Sequence, residues 1–117
     1  MSIDVIPALA AKALDGLWVR QAATAQNIAN AAADNYVPVR VSFEGELRTA
    51  WQAAESTGDV NRVGSMVPQV TMDATIDGGA VRLDHEIATA SETSARYALL
   101  VGMAGRLVEM NDMAARG

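Results

Sequence analysis

Residues 21–36, QAATAQNIANAAADNY, constrain this chain most, because no charge appears between Gln21 and Ala33. The stretch reads as the end of a long helix. A helix standing in water on one side carries charges there, so an uncharged circumference calls for cover over most of its surface. The chain is poorly equipped to supply that cover alone: 23 of its 117 residues are alanine and only five are aromatic. Alanine favours helix but buries little area, which predicts a marginal monomer.

The first helix is expected to start near Asp4, an N-cap residue, with Pro7 in the first turn where its missing N–H costs nothing. Running over residues 5–33 it would be on the order of 40 Å long, more than a compact domain of this size needs. One face carries Ala10, Leu14, Leu17, Trp18, Ala25, Ile28 and Ala32. The opposite face holds Asn27 and Asn30 together with the small or apolar Gly16, Val19 and Ala23. Both faces read as contact faces, with Asn27 and Asn30 as amides that fix register in a helical interface.

After the turn, residues 37–43 alternate, with Val37, Val39, Val41 and Phe43 on one side and Pro38, Arg40 and Ser42 on the other. Pro38 makes this an edge strand or a lone extended segment. Residues 44–55 predict a short helix with Leu47, Trp51 and Ala54 on one face, and residues 58–65 a loop. Residues 67–76 read as extended, with Val70, Met72, Ala74 and Ile76 alternating against Thr71, Asp73 and Thr75, before a turn at Asp77-Gly78-Gly79. Tyr36 and Phe43 are expected to anchor this insert by packing.

The last helix is expected to begin at an Asp84 N-cap with Glu86 in its first turn, where a carboxylate suits the helix dipole. Ile87, Ala90, Ser94, Ala98, Val101, Gly105 and Val108 form a stripe that Tyr97, Leu100, Ala104 and Leu107 widen. Glu92 and Arg96 make an i,i+4 pair. The fold class is therefore mainly α: two long terminal helices, 1–33 and 83–117, forming an antiparallel coiled coil around a small irregular, β-like insert at 34–82.

A net charge of -5 without a Lys/Arg cluster argues against nucleic acid. The absence of Cys removes disulfides and thiolate chemistry. His85, the one His, is flanked by Asp84 and Glu86, but adjacent helical residues point about 100° apart and do not converge on one ion. Asp73 and Asp77 lack the spacing of a calcium loop, and no nucleophile–base pair or phosphate loop can be assembled. The chain is expected to be no enzyme and to take no cofactor, metal or small-molecule substrate. The start, MSID, has no basic n-region, and no apolar run is long enough to span a bilayer.

Asn27-Ile28-Ala29-Asn30-Ala31, followed by Tyr36, resembles the signature of bacterial flagellar axial proteins: an NIANA-type helix end, a Thr-Pro-Gly turn, then Tyr. Here Ala33-Asp34-Asn35 replaces Thr-Pro-Gly, and Asn is the residue after Gly that best tolerates the left-handed conformation of such a turn. Residues 41–47, VSFEGEL, resemble the DVDFE-x-x-L segment of proximal rod proteins, and residues 80–86, AVRLDHE, their NVDLD-x-E segment before the last helix. The pattern is most similar to the B-type proximal rod proteins, with the C-type next.

The resemblance implies a structural subunit of the flagellar basal-body rod in the periplasmic space, exported by the type III apparatus without a cleaved signal peptide. Its partners would be copies of itself, other rod proteins and the inner-membrane ring and export-gate junction at the rod base. Its work would be helical assembly into a shaft that transmits torque for motility. The expected interface residues are Leu14, Leu17, Trp18, Ala25, Asn27, Ile28, Asn30 and Tyr36, with Tyr97, Leu100, Val101, Ala104, Leu107 and Val108 from the last helix. A soluble helical-hairpin adaptor or export-chaperone-like module, binding one partner chain on these faces, is the alternative.

Overall fold

A computed structural model describes residues 5–73 and 81–116. The Asp4 cap, the Asp77-Gly78-Gly79 turn and the alternating positions Ala74, Thr75 and Ile76 lie outside the described residues. The elements in order are α1 (Val5–Ala29), β1 (Val39–Ser42), α2 (Glu44–Thr57), α3 (Asn61–Gly64), β2 (Gln69–Met72) and α4 (Leu83–Arg116).

The long helices α1 and α4 pack antiparallel, as the two uncharged helical runs predict. Their seam follows a coiled-coil rhythm: Glu86, Ala90, Thr93, Tyr97, Leu100, Ala104 and Leu107 recur at alternating steps of four and three residues. Facing them are Asn27 near one end, Gln21 and Leu17 in the middle, and Ala13, Ala10 and Ile6 near the other. The expected Glu92–Arg96 pair forms at 2.7 Å on the outer side of α4.

Helix α1 also touches β1, α2 and α3, so the insert wraps the side of α1 that α4 leaves open. The sequence reading assigned that cover to other chains; the chain's own middle third supplies much of it. The core joins Val5, Leu17 and Ala23 of α1 to Val41, Phe43, Leu47, Ala54, Val63 and Met66. Its tightest point is Gly16, where an added Cβ would stand 2.5 to 2.6 Å from Phe43 ring atoms. Only a residue without a side chain lets the ring lie flat on the helix.

Helix boundaries differ from the sequence reading. Helix α1 stops at Ala29 rather than Ala33, and the chain continues in tight three-residue steps, Ala31 N–H to Ile28 O and Ala33 N–H to Asn30 O. The cause is the demand that Tyr36 and Val39 swing back to reach Asn27. Asn35 takes the left-handed conformation at φ 62, the role its resemblance to the family's turn glycine assigned it. Helix α4 begins one residue before Asp84, because the Arg82 carbonyl accepts from the Glu86 N–H.

The predicted loop at 58–65 contains α3, nucleated where the Asp59 carboxylate accepts the Asn61 N–H at 2.9 Å. The two extended segments pair with each other, antiparallel, Val39 opposite Met72 and Val41 opposite Val70. Pro38, on the side opposite the valines, is fully buried. The face it shares with Arg40 turns toward the start of α4, where Arg40 meets Glu86.

Candidate interaction surface

Asn27 sits at the junction of α1, the turn, β1 and α4, with none of its surface exposed. Its Nδ2 donates to Val39 O at 2.9 Å and to Glu86 Oε2 at 3.0 Å, while its Oδ1 accepts from Tyr36 Oη and from the Val39 N–H, both at 2.9 Å. Both donors and both acceptor positions of the amide are therefore used, the condition under which a buried polar side chain stabilises a fold rather than weakening it. The amide also pairs with the Val39 backbone as a neighbouring strand would.

Glu86 is equally buried and completes the junction. Its second oxygen lies 2.5 Å from Arg40 Nη1, and Arg40 Nε lies 3.5 Å from Asp73 at the end of β2. The carboxylate expected in the first turn of the last helix thus ties α4 to β1 and, through Arg40, to the end of β2. A buried ion pair adds little over an apolar pair, but loss of one partner strands the other charge, at about 3–5 kcal/mol.

A second polar contact fastens α2 to α1. Arg20 holds Glu44 in a two-pronged pair, Nη1 to Oε2 at 2.6 Å and Nη2 to Oε1 at 2.7 Å, and its guanidinium lies 4.8 Å over the Phe43 ring. The Arg20 hydrogen bonds outweigh the opposing effect of burial and hold the Glu44 carboxyl down to about 2. Because the folded value is depressed, the contribution is complete above the unfolded carboxylate range near ~4.3 and is lost as pH falls from there toward about 2. The Glu44 side chain is 45% exposed, so screening limits the loss to about 1 kcal/mol. The drop in urea midpoint between pH 7 and pH 3 is expected to shrink in Glu44→Gln; an unchanged drop would assign it to other carboxylates.

The residues expected at interfaces divide by burial. Leu17 and Asn27 are buried inside the chain, on a face of α1 used by its own insert and by α4. Leu100, Ala104 and Leu107 line the internal seam, and Tyr36 spends its hydroxyl on Asn27. Leu14 and Ile28 are half-buried, as is Asn30, whose amide turns back to Gln26 O. Trp18, Ala25, Val101 and Val108 are exposed, and Tyr97 lies at the margin.

Two apolar surfaces remain open on the helix pair. One follows the flank where Trp18, 68% exposed, meets Tyr97 and Ala98. The other is a groove of about 370 Å³ floored by Ile6, Leu9, Ala10 and Ala13 of α1 and walled by Trp51 of α2 and by Leu100, Met103 and Leu107 of α4. The groove escaped the sequence reading because its walls come from three elements; the apolar Leu9 and Met103 were its one local signal. Beyond it the end of α4 presents Val108, Met110 and Met113 to solvent.

No cluster of three or more His, Cys, Asp or Glu side chains suited to a metal occurs among the described residues, and no described helix is long and apolar enough to cross a membrane. Comparison with protein-family models, with curated proteins and with solved structures finds no match.

Proposed function

We propose that the chain is a structural subunit of the flagellar proximal rod, assembling through the outward surfaces of its helix pair. The observation that carries this reading is the run of large apolar side chains left in water along α4, Leu99, Val101, Met103, Val108, Met110 and Met113, together with Trp18 on α1. On the helical period Leu99, Met103, Met110 and Met113 share one side of α4 and Val101 and Val108 the other, and exposed apolar faces of this kind mark contacts that the isolated chain leaves unmade. The Trp18 flank and the α2-side groove are unlike surfaces on opposite flanks of the seam, which suits open, helical assembly better than a closed pair.

The resemblance gains a physical rationale as well. Asn27 and Tyr36, two fixed points of the axial-protein signature, hydrogen-bond to each other, so their spacing is what closes the helix end onto the following strand. A thin, alanine-rich chain of this shape unfolds at low cost for export and gains its missing burial on assembly. Its partners are copies of itself and related rod subunits.

Mass spectrometry of purified basal bodies from the source cell is expected to find the chain at copy numbers comparable to other rod subunits. Val108→Asp, at a position 65% exposed, is expected to abolish incorporation and swimming while leaving the circular dichroism of the free chain unchanged. Normal swimming by that variant would remove α4 from the assembly contact. Finding the chain only in the cytosol would favour the adaptor reading, with the three-helix groove as its binding surface.

A further inference from the structure

The outer edge of β2 is unpaired among the described residues, and its sequence is complementary to itself. In the antiparallel pair, Val39 opposite Met72 and Val41 opposite Val70 are the positions whose backbone groups turn away from the partner strand. On β1 those groups are taken by α1: Asn27 bonds both Val39 groups, and Arg20 donates to Val41 O. On β2 the matching groups belong to Val70 and Met72, and no strand pairs with them among the described residues. Natural edges are guarded by short length, charges, bulges or proline. Gln69–Met72 is four residues long but has no charge, bulge or proline within it.

The side chains favour the same conclusion. Val70 and Met72 share a sheet face with Val39 and Val41, which pack in or against the core, yet they project past it at 54% and 72% exposure. The apolar face of the sheet therefore continues outward past the cover that the described residues supply.

We infer that β2 pairs with β2 of a second copy of this chain across a two-fold axis at Thr71. In that register Val70 of each copy faces Met72 of the other, and each such pair exchanges both backbone hydrogen bonds. The four apolar side chains gather on the core-side face. Thr71 faces Thr71, and Gln69 faces Asp73, so no like charges are opposed. Sliding toward the N-terminus brings in Pro68, which has no N–H to give. The contact is closed and small, which makes a weak dimer and leaves the helix surfaces free. It does not rest on the rod reading.

The test uses the absence of cysteine from the chain, so that an introduced thiol is the sole one. At the two-fold, Thr71 α-carbons approach to about 4.5 Å, inside the roughly 4.4–6.8 Å span a disulfide accepts. Under mild oxidation, full-length Thr71→Cys is expected to form covalent dimer at least tenfold faster than Ser56→Cys, an exposed control on α2. Adding Met72→Pro deletes one outward N–H and leaves the ladder to β1 intact, and is expected to return Thr71→Cys to the control rate with unchanged far-ultraviolet dichroism. Equal rates for the two single-cysteine chains, or insensitivity to Met72→Pro, would overturn the pairing. Cross-linking of Thr71→Cys to a different protein in its place would also overturn it, giving the edge to that partner.

Discussion

Asn27→Asp is expected to separate α4 from the rest of the fold. The substitution keeps shape and replaces the two N–H donors of the amide by a second carboxylate oxygen, facing Val39 O and the buried Glu86 carboxylate. Two carboxylates then share a water-free site with one guanidinium, Arg40, already engaged with Glu86 and Asp73. A buried charge deprived of its partner costs about 3–5 kcal/mol, against a total domain stability of roughly 5–15 kcal/mol. Urea unfolding at pH 7 should place the variant near or past its midpoint without denaturant. Asn27→Ala, which removes the bonds without adding charge, should be milder. A native-like midpoint for Asn27→Asp would show that the junction contributes little.

The second large effect is expected at Gly16. Any side chain there drives its Cβ into the Phe43 ring, which is buried and covered by Arg20. Overpacking of this kind costs about 1–3 kcal/mol even when neighbours shift. Here the shift also displaces Arg20 from Glu44. Removing the ring identifies the mechanism: Phe43→Ala alone should cost about 3–5 kcal/mol, and Gly16→Ala added to it should cost nothing further. Additive losses would mean that the cost at Gly16 does not come from contact with Phe43, since alanine's higher helix propensity by itself favours the substitution.

The pairing of the long helices was legible because it rests on periodicity and on where charges are missing, both local properties of the sequence. The internal faces were harder. Asn27, Gly16 and Ala23 were recognised as a contact face, but helical periodicity cannot say whether the occupant is the same chain or another. The insert proved large enough to occupy it. The first-turn place of Glu86 was legible but its burial was not, because a carboxylate there suits the dipole whether solvated or buried, and its partner Arg40 lies 46 positions earlier. The Asn35 turn could be anticipated because left-handed backbone admits few residue types. The open edge of β2 became visible only once β1 was seen paired on its other side by side chains of α1.

That use of a helix side chain in place of a strand has a consequence for the order in which the chain folds. The Asn27 bonds to Val39 span 12 residues, whereas the bond to Glu86 spans 59. Short loops close at lower entropic cost, so α1, its turn and β1 can condense as one local unit before α4 arrives. Amide hydrogens of α1 near Asn27 should then outlast those of α4 in exchange, with α4 opening as a separate, less protected unit. If so, α1 with its turn and β1 is the part of the fold that forms first, and α4 the part whose docking completes it.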